Sequence, residues 1–222
     1  MSISDKIKQR INDQSGTFFA NDNISQYILE EERQPLKEEV TEKVEALLRS
    51  LIIDVDNDHN TKETAKRVAK MYLEEVFKGR YNDCPTVTDF PNVKQLDELY
   101  IVGPITIRSA CSHHLVPITG RAWVGVMPSE RVIGISKFNR VIDWVMSRPH
   151  IQEEAAIMIA DELEELIQPK GLAVLIKAQH HCMTWRGVKE HDTIMTNSIM
   201  RGIFREDARL KSEFLSTVRD MK

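Results

Sequence analysis

Along this chain the apolar residues change their spacing several times, and each change predicts a different element. Leu36, Val40, Val44, Leu47, Leu48 and Leu51 recur every three or four residues, as one face of an α-helix requires. Val68, Met71, Tyr72, Val76 and Phe77 repeat that spacing and stop at Gly79, predicting a second amphipathic helix. The polar run 54–60 between them reads as a turn, and 81–94, with Pro85 and Pro91, as a linker. Beyond it the residues become β-branched and aromatic. Residues 100–107 and 121–127 predict strands, with Pro117 and Thr119-Gly120 as the break between them. Residues 137–146 predict a short helix. A longer one over 151–167 is entered through Pro149 and stopped by Pro169 and Gly171, with Ile151, Ala155, Ile159, Leu163 and Leu166 on one face. The nearly continuous apolar run 172–178 predicts a buried strand, 182–188 a second strand and 209–221 a closing helix.

Residues 1–35 mix charge with Asn, Gln and Ser and carry no sustained period, so they are expected to form a mobile arm. The remaining chain divides into a helical extension and linker over 36–95 and an α+β domain over 96–222 that carries the chemistry. At 222 residues and 41% hydrophobic content, one substantial core with a smaller appendage is expected. A net charge of -4 gives no general attraction to phosphate backbones, so no nucleic-acid partner is expected. The longest apolar stretches fall far short of the roughly 20 residues that cross a bilayer. The N-terminus also has no signal-type apolar core, so the expectation is a cytoplasmic protein with no membrane partner. Cys84, Cys111 and Cys182 are an odd, widely spaced set, which suits reduced thiols or metal ligands better than disulfides.

Two short windows concentrate the reactive side chains. Cys111-Ser112-His113-His114 and His180-His181-Cys182 hold six of the ten Cys and His residues. Thiolate sulfur and imidazole nitrogen are preferred zinc ligands, and a catalytic zinc takes three protein ligands and keeps a fourth position open. The spacing alone leaves three readings: a catalytic metal, a structural metal, or buried thiols beside ordinary histidines. Histidines in excess of the ligands favour catalysis, because an imidazole of ordinary pKa about 6.5 can carry protons at neutral pH. Cations form a second group. Lys137 and Arg140 begin the short helix after Gly134-Ile135-Ser136, Arg186 follows the second window, and Arg67 and Lys70 lie a turn apart on an earlier helix. With the Ser136 hydroxyl and the helix N-terminus they could grip a polyphosphate. Taken singly, each is a solvated surface residue. No Walker-type glycine-rich loop is present. Gln152-Glu153 opens the long helix, where a carboxylate is favoured by the dipole whatever its task, yet a carboxylate can also pair with guanine N1–H and its 2-amino group.

In order and approximate spacing, Cys111-Ser112-His113-His114, Gly134-Ile135-Ser136-Lys137, Arg148-Pro149-His150-Ile151-Gln152-Glu153 and His180-His181-Cys182 resemble the GTP cyclohydrolase I family. The resemblance extends from about Thr61, through Arg67-Val68-Ala69-Lys70-Met71-Tyr72, to Gly202-Ile203-Phe204 and Glu213-Phe214-Leu215. It implies a tunnelling fold, an antiparallel sheet with two helices on one face behind a helical extension, assembled as a homodecamer with active sites between subunits. It further implies Zn2+ held by Cys111, His114 and Cys182, and proton transfer by His113 and His180. Gln152 and Glu153 would hold guanine, while Ser136, Lys137, Arg140 and Arg186 would hold the triphosphate, with Arg67 and Lys70 reaching across a subunit boundary. The reaction so implied opens the imidazole ring of GTP, releases formate and recloses to 7,8-dihydroneopterin triphosphate, the first step of folate and pterin synthesis.

Ser112 stands where the family usually has Glu, Glu154 where it has Arg, and Ala65-Lys66 where it has Pro-His, departures that mark a divergent member. Two rivals remain at this stage. One is another enzyme of the same fold, such as a nitrile reductase of deazaguanine metabolism, which would need a nucleophilic cysteine. The other is a non-catalytic nucleotide-binding member stabilised by zinc.

Overall fold

A computed structural model describes residues 1–221, which fall into two compact units, Met1–Asp83 and the chain from Cys84 onward. The second unit is α+β. Its sheet runs β5-β2-β3-β6-β7, with successive strands antiparallel from β2 (Tyr100–Cys111) through β3 (Pro117–Met127) and β6 (Gly171–His180) to β7 (Met195–Gly202). The short β5 (Pro149–His150) lies parallel to β2, pairing His150 with Cys111. A separate ribbon pairs β1 (Asp89–Pro91) with β4 (Arg131–Ile133).

Alternation along the strands decides what each face carries. Ala122, Val124 and Val126 of β3 and Leu172, Val174, Ile176 and Ala178 of β6 sink into one core with residues of α5 (Ile135–Met146) and α6 (Gln152–Ile167). The intervening Trp123, Ala173 and Leu175 join Phe204, Leu210 and Phe214 from α8 (Ile203–Glu206) and α9 (Ala208–Asp220) in a second cluster. Phe204 and Phe214 meet edge to face at 5.9 Å, the arrangement the aromatic quadrupoles favour. Because both faces of β6 are covered, its apolar run shows no alternation in the sequence. Each such buried aliphatic or aromatic side chain contributes roughly 1.5–3 kcal/mol by leaving water. Gly120 permits the close pairing of β3 and β6: a Cβ there would lie 2.1 Å from the Lys177 carbonyl oxygen.

Several sequence expectations need correction. The strand expected over 182–188 is instead a single helical turn, α7 (His181–Thr184), followed by a turn through Gly187 at φ +65°. The partner of β6 on the side away from β3 is β7, whose half-exposed, polar alternation hides it from an apolar-run reading. Pro117 and Thr119-Gly120 do not break the strands but begin β3, and the turn lies at 112–114. The two helices expected on one face are α5 and α6, while α8 and α9 cover the other.

The first unit is helical. The two expected amphipathic helices are α2 (Arg33–Ser50) and α3 (Thr64–Lys70), the latter running into a π-helical turn, Met71–Val76, and then α4 (Lys78–Tyr81). Ahead of them the sequence predicts no element, yet α1 (Ile3–Asp13) forms there, capped by the Ser2 hydroxyl accepting from the Asp5 N–H. Ile7 and Ile11 of α1 are buried with Ile24, Tyr27 and Ile28. Among the described residues no helix is long and apolar enough to cross a membrane.

Candidate metal centre

The end of the sheet where β2 stops, β3 starts and β6 stops also receives the beginning of α6. Register brings these ends together: Ala110 pairs with Pro117, Ile118 with His180, and Cys111 with His150, two residues before α6 begins. Cys111 closes β2 with its side chain in the core, and the turn that follows brings His114 back, its N–H donating to the Cys111 carbonyl. Cys182 lies in α7, just past the end of β6. The sulfurs of Cys111 and Cys182 and a ring nitrogen of His114 all lie within 4.8 Å of one another. Cys111 is buried, Cys182 half-buried and His114 exposed, so the group opens to solvent on its histidine side.

This donor set fits zinc. Burial pushes the Cys182 thiol pKa up, and the adjacent Cys111 pushes it further in the same direction, because two neighbouring thiolates repel. A cation between them would relieve that repulsion, and two thiolates with one imidazole leave a fourth tetrahedral position for a reactant.

His113, Arg186 and His180, also singled out in the sequence, stand near this group. The His113 ring lies 6.4 Å from that of His114, edge to face, and is exposed. Arg186 donates from Nη1 to Nε2 of His114 at 2.9 Å, so a cation expected on phosphate stands beside a candidate metal ligand. The Nε2 of His180, which is half-buried, lies 2.8 Å from the Gln152 side-chain oxygen. Burial depresses its pKa, and the nearby Glu153 carboxylate works against that shift. Glu153 itself is exposed in the first turn of α6. Gln152 is fully buried, with its amide engaged at both ends by protein groups. Behind Cys111, His150 is buried and bonded through Nε2 to the Val145 carbonyl at 2.6 Å, and desolvation holds its pKa down to about 4.

Ser136 and Lys137 occupy the first turn of α5 and Arg140 the next, with the Lys137 ammonium donating to the Thr86 carbonyl at 3.2 Å. Arg67 and Lys70 are exposed on α3 of the first unit. His181, the remaining histidine of the second window, is 3.3 Å from the Thr119 hydroxyl. Sequence reasoning missed Asn197, which contacts Gln152 at 2.7 Å. The only signal for it would have been its place opposite Ile176, visible once β7 is paired with β6.

The chain matches the family model of GTP cyclohydrolase I over residues 40–219. It is 36% identical over 188 residues to GTP cyclohydrolase 1 of Aliivibrio salmonicida, an alignment covering 84% of this chain and 86% of that protein. To the enzyme of the same name from Edwardsiella ictaluri it is 37% identical, covering 84% and 85%, and to that from Pectobacterium carotovorum 34%, covering 85% and 86%. A crystal structure of the archaeosine synthase QueF-Like in the apo form aligns over 54% of this chain and 97% of that one, at 14% identity and a TM-score of 0.36, too loose a likeness to bear on function. With the family model spanning most of its length and these relatives matching along it, the chain belongs to the GTP cyclohydrolase I family.

Proposed function

We propose that this protein hydrolytically opens the imidazole ring of GTP, releases formate and recloses the product to 7,8-dihydroneopterin triphosphate, using Zn2+ held by Cys111, His114 and Cys182. The observation that carries this reading is the gathering of those three side chains, with ligand atoms within 4.8 Å, at the sheet end that also holds His180. When bound, the metal supplies Lewis acidity and a water of pKa about 7.

The chain's own groups then have distinct tasks. His113 and His180 move protons to and from the purine and, later, the opened ring. The exposed Glu153 carboxylate accepts from guanine N1–H and the 2-amino group, a pairing adenine cannot offer. Ser136 and Lys137, in the first turn of α5, bind triphosphate oxygens where the helix dipole favours anions, and Arg140 and Arg186 complete the grip. Arg67 and Lys70 serve the site of a neighbouring subunit in a cytoplasmic homodecamer whose active sites lie between subunits. Support for the assembly comes from family membership.

The test is incubation of zinc-loaded protein with GTP, followed by assay of formate and of the fluorescent oxidised pterin. Both are expected, and Cys182→Ala and His180→Ala should each lower turnover by about 100-fold or more. Full activity in Cys182→Ala would overturn the ligand assignment.

A further inference from the structure

Gln152 is 1% exposed, and every polar atom of its side chain has a protein partner. Its amide nitrogen faces the carbonyl oxygens of Met195 at 3.2 Å and Ile176 at 3.4 Å, and the side-chain oxygen of Asn197 at 2.7 Å. Its oxygen faces Nε2 of His180 at 2.8 Å. The strand register builds this nest, because Asn197 lies opposite Ile176 and Met195 opposite Ala178. Ile176, Ala178 and His180 therefore follow one another on the face of β6 that receives the start of α6.

The polarity of the whole chain of bonds follows from two groups that can only accept. Backbone carbonyls do not donate, so the end of the amide facing Met195 and Ile176 must be its NH2. Turning the amide over would let its NH2 donate to a His180 protonated on Nδ1, but would set its oxygen 3.2 and 3.4 Å from two backbone carbonyl oxygens that cannot donate to it. The other end is then a carbonyl oxygen, which requires a donor from His180. A neutral imidazole has one N–H, and here it must lie on Nε2.

We infer that Gln152, braced by Asn197, is a positioning residue that holds His180 as the Nε2–H tautomer and leaves Nδ1 as its proton-accepting nitrogen. The inference rests on the reading of His180 as a proton carrier. It takes Gln152 off the guanine base and leaves base recognition to Glu153. A histidine turned to the other tautomer would present an N–H where a lone pair is required, and the consequence falls on the chemical step rather than on substrate binding.

The experiment uses full-length, zinc-loaded protein carrying 15N-imidazole histidine, with the His180 resonances identified by their loss in His180→Gln. At neutral pH the expected spectrum has a protonated-type Nε2 and an unprotonated-type Nδ1. Gln152→Ala should convert this to a mixture of tautomers, lower kcat by about 10- to 100-fold and leave KM for GTP within about threefold. Because Gln152 is buried, Asn197→Ala provides a second route: a partial tautomer mixture and a kcat lower by about 10-fold are expected. A wild-type spectrum with the proton on Nδ1 overturns the inference. So does a Gln152→Ala enzyme whose KM rises while kcat stands, or an Asn197→Ala enzyme unchanged in both spectrum and kcat. If the wild-type protein releases no formate from GTP, the proposed reaction fails, while the spectra of the wild type and both variants still decide the tautomer.

Discussion

In the unit from Cys84 onward, residues 172–176 of β6 are no more than 5% exposed, with neighbours on both faces, whereas the eighteen-residue α2 of the first unit buries none of its residues fully. The first unit compensates with polar ties. Arg10 holds Glu32 through two nitrogens, Ser4 holds Glu39, Arg49 joins Asp56 and Glu45, and Arg80 donates to the carbonyls of Phe18, Phe19, Ala20 and Asp22. Partly exposed ion pairs contribute about 0–1 kcal/mol each, while a buried side chain contributes several times that. The difference teaches where rigidity is concentrated: the candidate metal group is hung on the ends of strands that are locked from both sides.

The strongest way to break this contrast is at its firmest point. Phe214 is fully buried and packs edge to face with Phe204. Phe214→Ala should cost about 3–5 kcal/mol, read as a lowered urea midpoint at fixed protein concentration. All three tryptophans, Trp123, Trp144 and Trp185, lie in the second unit, so their fluorescence reports that unit alone. A cost below about 1 kcal/mol would mean that the second face of the sheet contributes little.

Legibility in the sequence follows the same contrast. The elements α5, α6, β6 and α9 were readable because their burial is decisive: a full apolar face or a doubly covered strand leaves a strong pattern. The strand β7 was not, because an edge strand with exposed Thr196 and Ser198 obtains its geometry from pairing with β6. The helix α1 was carried by a thin signal, Ile3, Ile7 and Ile11 behind a Ser2 cap, lost among charged neighbours. At the site, the Cys and His residues could be gathered by type alone, and the structure brings Cys111, His114 and Cys182 together. What the sequence could not supply was the direction of hydrogen bonds. Gln152 reads as a helix-opening polar residue, and only the register of β6 and β7 reveals that its amide is enclosed.

A smaller effect sharpens the comparison from the side of the first unit. The Arg10 guanidinium, with further help from the Leu29 N–H, holds the Glu32 carboxyl pKa down to about 2 against the opposing effect of its burial. A depressed carboxylate pKa means that this stabilisation is complete above the ordinary value of 4.5, declines as pH falls below it, and is gone below about 2. Amides of α1 should therefore lose hydrogen-exchange protection, corrected for intrinsic rate, as pH falls from 5 towards 3, ahead of the amides of β3 and β6. Glu32→Gln should lower protection of α1 at pH 7 and flatten that pH dependence. Equal pH dependence in wild type and variant would show that the pair does not anchor α1.

The smallest expected effect lies on α2 itself. Leu47 is 57% exposed, while Leu163 on α6 is fully buried. Leu163→Ala should cost about 2–5 kcal/mol, but Leu47→Ala should stay within about 0.5 kcal/mol, since alanine is at least as good a helix former and little apolar area is lost. Hydrogen exchange of α2 amides measures the latter directly. If Leu47→Ala instead cost about 2 kcal/mol, and the loss grew on dilution, then the stripe of Leu47 and Leu51 would be covered in solution by another copy of the chain. The first unit would then owe to assembly the apolar burial that the second unit achieves within one chain.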